Sequence, residues 1–462
     1  MTEDSYLPAG WSAMTIEDLA ELKGIAYGVL KPGPIVPNGV LMLRVGDIQD
    51  GQIDETAIYR IGRDLDQEFR RTKLKGGEIV ISIQGSVGRV AVVPAHLAGA
   101  NVSRTLAMVR LRDPGVARWV QRALESPFIQ QMMRDVVGGT TRDSLNLRDL
   151  RKFAIPIAPE PVRSELLEAI ERSGLLVASS ARHVAAARRA VERFRQAALA
   201  AATDGRLTAD WRAENTELLP DLPLPGRKPR QLRDIERFDL DEIPEEWKWV
   251  QVEDLLPEGG IFDGPFGSNL KTADYTTAGA RVIRLENIGH LEFIDSKKTY
   301  VSKQKYQDLS KHAVRAGDIV FSSFVDESVR VCVLPDDLEL QALAKADCFT
   351  LRPSGAVDRS YLAMQLASVR TYGFLASDVH GATRPRINTT QLRSVPVPLC
   401  SLTEQSEIVR RFTSLTSAAD DLLDRVDRVA ARVQMISQSV LAMAFRGELQ
   451  VGEAVVSSSK PS

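Results

Sequence analysis

Four residues could be drawn together as a metal-dependent nuclease centre: Asp318, Asp326, Glu327 and Lys345. Acidic groups near a strand hold divalent cations in such centres, but spacings of this kind also arise by chance, and surface carboxylates beside a strand are the simpler reading. Other chemistry is thin. No Asn-Pro-Pro-aromatic or Asp-Pro-Pro-aromatic run suits amino-methyl transfer, and no glycine-rich loop ending in Lys-Ser or Lys-Thr cradles a nucleotide. His96, His183, His290, His312 and His380 are scattered without metal-ligand spacing, and Cys332, Cys348 and Cys400 form neither a disulfide framework nor a zinc site. No metal or cofactor is expected in the chain.

Residue types suited to DNA are more orderly. Two loops, 139–143 and 381–386, combine glycine, threonine and arginine, with Thr140, Thr141 and Arg142 in the first and Thr383, Arg384 and Arg386 in the second. Glycine lets backbone approach a phosphate closely. Hydroxyl and amide groups position DNA, and arginine can read guanine with two bonds. A helix-end turn with an exposed arginine is the alternative. Ser268, Asn269 and Lys271 follow the turn at Gly264 and could face a DNA backbone. Arg70, Arg71 and Lys73, and Lys297 and Lys298, are basic clusters suited to phosphate contacts or to a solvated face. Trp11 and Trp247 open two similar segments and read better as core anchors than as stacking platforms.

These residues sit in a chain written twice. Arg44-Val45-Gly46-Asp47-Ile48 returns as Arg284-Leu285-Glu286-Asn287-Ile288, and Lys75 to Ser82 returns as Arg315 to Ser322. Gly139-Thr140-Thr141-Arg142 with Asn146 and Leu150 returns as Gly381-Ala382-Thr383-Arg384 with Asn388 and Leu392, a shift of about 240 residues. Each copy begins with a mixed α/β segment, 1–158 and 244–400, in which runs such as 78–83 and 318–321 read as buried strands. Stretches 116–133 and 361–375 read as helices, and a proline-rich exit follows (Pro156 and Pro159; Pro396 and Pro398).

A long helix follows each segment, over 159–212 and 401–450. In the second, Ser401 and Glu404 have capping-box form. Apolar residues then alternate at spacings of four and three, as in a coiled-coil seam: Ile408, Phe412, Leu415, Leu422, Val426, Val429, Val433, Ile436 and Val440. The first helix carries Leu166, Ile170, Val177, Val184, Val191 and Phe194 in the same register, with smaller residues between. The two are expected to pair antiparallel, holding the domains apart. About 36 helical residues span roughly 54 Å, more than one turn of B-DNA. Residues 213–243 read as a proline-rich linker and 451–462 as a disordered tail. The fold class is thus α+β: two duplicated mixed domains separated by an antiparallel pair of long coiled-coil helices.

The chain has 462 residues, 44% hydrophobic and 26% charged, with a formal net charge of −2. That balance argues against an indiscriminate polyanion binder and suggests that DNA affinity is shared with a partner. With no secretory signal and no apolar run near 18 residues, a cytoplasmic location is expected.

The blocks resemble the specificity subunit of type I restriction-modification systems over nearly the whole chain. The most specific are Asp263-Gly264-Pro265-Phe266-Gly267-Ser268-Asn269-Leu270-Lys271 with Tyr275 and Arg281 to Ile288, and the run from Gly381 to Gln405. The first copy departs from both: Lys23 to Gly28 lacks the Gly-Pro-Phe-Gly-Ser stretch, and Val162-Arg163 replaces Glu404-Gln405. The resemblance implies two target-recognition domains, each reading half of a split asymmetric DNA site. It also implies helices that set the gap and dock two modification subunits carrying S-adenosylmethionine, and motor-nuclease subunits that use ATP and magnesium. The chain itself would be non-catalytic. The alternatives are a stand-alone methyltransferase or endonuclease, or an interaction scaffold without DNA reading.

Overall fold

The computed structural model describes residues 7–138, 144–215, 242–326, 328–339, 341–377 and 385–449. The proposed linker, apart from its ends, and the tail lie outside these residues. The chain divides into two compact units: Met1–Ala185 with Val426–Ser462, and Ala186–Arg425. Each therefore takes its mixed domain from one copy of the repeat and a helix segment from both.

In the first unit, β-branched Ile79–Ser82 is central to a four-stranded sheet with Ala20–Tyr27, Leu106–Leu111 and Val90–Val92. A smaller sheet joins Tyr59–Ile61, Val40–Leu43 and Asn101–Val102. The second unit repeats this plan, with Ile319–Ser322 between Cys348–Leu351 and Val331–Val333, and with Ala280–Ile283 lying parallel to Ala342–Ala344. The entry strand of each domain pairs with its proline-rich exit: Ser12–Thr15 with Ala154–Ile157, and Lys248–Gln251 with Pro396–Leu399. Proline is tolerated there because these are two-stranded edges. Both exits are tied to the core in the same way. Trp119 Nε1 donates to the carbonyl of Pro156 at 2.7 Å, and Tyr361 Oη donates to the carbonyl of Pro398 at 2.7 Å.

Each expected short helix is broken in two. Ala117–Leu124 stops before Pro127–Gly138, because proline has no N–H to donate and its ring clashes with the preceding turn. Arg359–Ala367 stops at extended Ser368, whose hydroxyl accepts from Thr371 N–H at 3.2 Å and starts Val369–Ser377.

The long helices are Glu160–Thr203 and Leu402–Phe445. In each unit their segments run antiparallel. In the first, Leu166 and Ile170 share a core with Leu441, Ala444 and Phe445, whose ring lies 4.7 Å from that of Trp119. In the second, Leu199 and Ala202 share a core with Ile408 and Trp247, and Arg195 pairs with Asp420. Each helix ends at a left-handed glycine pressed on a proline from the start of the other copy. A Cβ on Gly205 would fall 2.6 Å from Pro244 Cγ, and one on Gly447 would fall 2.1 Å from Pro8 Cγ.

Of the seam candidates on the first helix, Leu166, Ile170 and Val191 are buried, Val177 and Val184 half-buried, and Phe194 is 44% exposed. On the second helix the candidates divide. Ile408 is buried and Phe412, Leu415, Val426, Val433 and Val440 are half-buried, but Leu422, Val429 and Ile436 are 50%, 57% and 55% exposed. Leu423, Ala430 and Ser437 turn inward instead. Phe412, Val426, Val433 and Val440 keep heptad spacing on the inward face, so the seven-residue repeat is kept and only the seam position between them falls one residue later than expected.

The capping box at Ser401 is half realised. Ser401 Oγ accepts from Glu404 N–H at 3.3 Å, but the Glu404 carboxylate is fully buried and engaged elsewhere. It accepts from Thr208 Oγ1 at 2.9 Å, Arg212 Nε at 3.0 Å and Trp247 Nε1 at 3.0 Å. The Arg212 guanidinium also donates to the Gly205 carbonyl at 2.6 Å and lies 5.5 Å from the Trp247 ring centre. Beside this network, bonds from Arg410 and Arg411 hold Glu407 down at about 2. Removing Glu404 would strand a buried guanidinium. Glu404→Ala is expected to cost about 3–5 kcal/mol, read as a lowered denaturation midpoint, whereas Arg212→Met combined with Glu404→Leu should recover much of it.

Candidate nucleic-acid interface

One corner of each domain gathers loops from both of its sheets. It is built on two parallel strands, Val40–Leu43 beside Asn101–Val102 and Ala280–Ile283 beside Ala342–Ala344, each pair ending at an arginine. The following residue locks the corner: Ser103 N–H donates to the Leu43 carbonyl at 2.9 Å, and Lys345 N–H to the Ile283 carbonyl at 2.9 Å. The arginines are held alike. Arg44 N–H donates to Asp47 Oδ2 at 2.7 Å and Arg284 N–H to Asn287 Oδ1 at 3.0 Å. Their guanidinium groups lie over tyrosine rings, Arg44 over Tyr59 at 5.0 Å and Arg284 over Tyr275 at 5.6 Å, with Lys345 Nζ also 5.5 Å from Tyr275.

The larger sheets deliver their loops to the same corner. Ile83 N–H donates to the Thr105 carbonyl and accepts, through its own carbonyl, from Leu145 N–H; Ser323, Asp347 and Ile387 repeat both bonds. Glycine is required where the first strand leaves. A Cβ on Gly28 would lie 1.7 Å from the Val102 carbonyl oxygen, and one on Gly264 would lie 2.1 Å from the Lys345 carbonyl carbon. The missing Gly-Pro-Phe-Gly-Ser stretch thus hides a shared backbone approach. Past these glycines the chain exposes Leu30, Ile35 and Phe266. Burial raises the carboxyl of Asp263 above its usual range, opposed by the Gly264 N–H and by the charges of Arg386 and His312.

Of the sequence candidates, Thr140, Thr141, Arg142, Thr383 and Arg384 lie outside the described residues, but the chain re-enters at this corner through Ser144, bridged to Gln84, and Arg386, bridged to Phe324. Asn269 and Lys271 are exposed on the loop after Gly264; Ser268 lies in the same turn, its side chain outside the described set. Arg70 and Arg71 are exposed on a short turn, and Lys73 is committed to buried Asp66 at 2.8 Å. Lys297 and Lys298 are exposed; Lys298 pairs with Asp295 at 2.8 Å, which holds its ammonium above the usual range. Sequence reasoning did not bring Arg44, Arg284, Lys345 and Asp347 to this corner, although the repeated block quoted for the duplication contains two of them.

Among the described residues the nuclease arrangement is not formed. Asp318 is buried at the start of Ile319–Ser322 and paired with Arg352 at 2.6 Å, as Glu78 pairs with Arg110 at 2.8 Å in the first domain. Lys345 lies beyond the opposite end of that strand, and Glu327 is outside the described residues. The three cysteines are buried, and burial raises their thiols, that of Cys332 to about 12. Among the described residues, no helix is long and apolar enough to cross a membrane.

No family model matches the chain. Curated relatives do. It is 28% identical over 221 residues to the type I restriction enzyme EcoBI specificity subunit of Escherichia coli, covering 47% of this chain and 46% of that one. The EcoDI specificity subunit of Escherichia coli is 29% identical over 270 residues, covering 56% and 54%. The chain thus spans about half the length of these two relatives. With the EcoKI specificity subunit of Escherichia coli K12 the match is 23% over 456 residues, covering 96% and 90%. Two solved structures share the fold at 20% identity. One is a chain from a structure explaining complex assembly and conformational transition of the type I R-M system (TM-score 0.67; 96% of this chain, 99% of that one). The other is the HsdS subunit of Thermoanaerobacter tengcongensis (TM-score 0.50; 97% and 100%). The fold class is that of a duplicated α+β chain in which a long helix follows each mixed domain. In sequence, the chain is similar to type I restriction-modification specificity subunits, with EcoKI over nearly its whole length.

The glycine contact gives a direct check. Gly264→Ala drives a Cβ into backbone, so calorimetry should show the second unit destabilised by about 1–3 kcal/mol, whereas Gly46→Ala, with open space around its Cβ position, should leave the first unit unchanged.

Proposed function

We propose that this chain is the non-catalytic, sequence-reading subunit of a type I restriction-modification enzyme. Each recognition domain reads one half of a bipartite, asymmetric DNA site through its loop corner. The long helices set the unread gap and dock two modification subunits. Those partners bind S-adenosylmethionine and transfer methyl groups, and motor-nuclease subunits using ATP and magnesium complete the assembly.

The observation that carries this reading is one scaffold decorated in two ways. Arg44 and Arg284 recur on the same backbone and suit phosphates, which position a protein without reading sequence. Around them the side chains differ: Ser103, Thr105 and Ser144 in the first domain stand where Lys345, Asp347 and Arg386 stand in the second. Shared anchors with different edges are what two unlike half-sites need. A formal net charge of −2 fits affinity shared with a partner. Docking is supported by the second long helix, where Val429, Ile436 and Met443 fall at heptad spacing on an exposed face.

Methylation mapping in cells carrying the assembled enzyme tests the reading. Exchanging residues 8–158 for the corresponding domain of another family member should change one half-site and leave the other half and the gap intact. Change in both halves, or methylation without sequence preference, would refute it.

A further inference from the structure

We infer that Arg386 reads a base in the half-site of the second domain and that Asp347 is the positioning residue that aims it; this rests on the DNA-reading function proposed above. Asp347 is one of few non-glycine residues with a left-handed backbone, at φ 74°. Such a conformation persists where surrounding bonds impose it, and here every polar group of the residue is engaged. Its N–H donates to Asp263 Oδ1 at 3.0 Å, and its carbonyl accepts from Ser323 N–H at 2.9 Å. Its carboxylate accepts from Ser323 Oγ at 3.1 Å and is ion-paired with the Arg386 guanidinium. Asp263 is fixed in turn by Gly264 N–H at 2.7 Å.

Arg386 is therefore ion-paired through Nη2 with a carboxylate that is itself fixed, and lies 5.8 Å from the centre of the Phe324 ring, while its side chain stays 45% exposed. Pairing with Asp347 cancels most of its charge, so it adds little to phosphate attraction. What it retains is a set of oriented N–H donors. Those match the O6 and N7 acceptors of guanine in the major groove, where a good bidentate contact discriminates roughly tenfold or more. Thr105 and Ser144 occupy these positions in the first domain and cannot form such a pair. The contact is thus particular to the second half-site.

The test uses the full chain assembled with its modification subunits and measures methylation rates on a library varying every position of both half-sites at several salt concentrations. Arg386→Ala and Asp347→Asn should each flatten the preference at one position of one half-site by about tenfold, with the other half-site unchanged. Asparagine tolerates the left-handed backbone, so the loop is kept. Arg386→Lys should not restore the preference, because lysine lacks the fork. An unchanged preference, or a uniform loss across all sequences with a shallower salt slope, would overturn the assignment. A wild-type complex without any preference would instead bring down the DNA-reading function itself.

Discussion

Burial of each long helix's end against a domain begun by the other copy is the constraint on which both units depend. Phe445, Ala444 and Leu441 close over Trp119 in one unit, and Leu199 and Ala202 join Trp247 in the other. Apolar burial of this kind yields about 25 cal/mol per Å² and carries no direction. Direction comes from polar contacts: Glu404 in the second unit binds a tryptophan, an arginine and a threonine from three elements at once. The first unit lacks that carboxylate and relies on edge-on and tilted aromatic contacts, with Trp11 and Phe445 both against Trp119. Neither copy supplies a complete unit by itself.

The same economy governs the loop corner. The parts repeated between copies are those that fix backbone: a glycine against a neighbouring carbonyl, an arginine tied to an Asp or Asn three residues on, and a buried ion pair beneath the sheet. The parts that vary are side chains carried on that backbone. A scaffold that is fixed while its surface varies allows one fold to present two different sets of donors and acceptors to DNA.

Much of this was legible in the sequence. The repeat, the strands around Ile79 and Ile319, the proline exits and the two long helices all have local signatures, because hydrophobic period and turn chemistry are local. The seam register was half legible. Val426, Val433 and Val440 face inward at heptad spacing, but the position between them falls one residue later than the apolar pattern suggests, so Val429 and Ile436 face outward. The site was less legible, because its members meet only through tertiary structure. Lys73 and Lys298 read as free cations until Asp66 and Asp295 are seen to hold them. Asp347 and Arg386 belong to different loops, and no spacing rule joins them.

The interlocked construction is tested most directly by cutting the chain between its copies. Residues 7–215 and 242–449, made as separate chains, can be compared alone and mixed by light scattering and thermal unfolding. The expected result is that each alone is unstable or self-associates through its uncovered helix, and that mixing yields a one-to-one complex with restored stability. Two fragments that remain well-folded monomers, indifferent to one another, would contradict it.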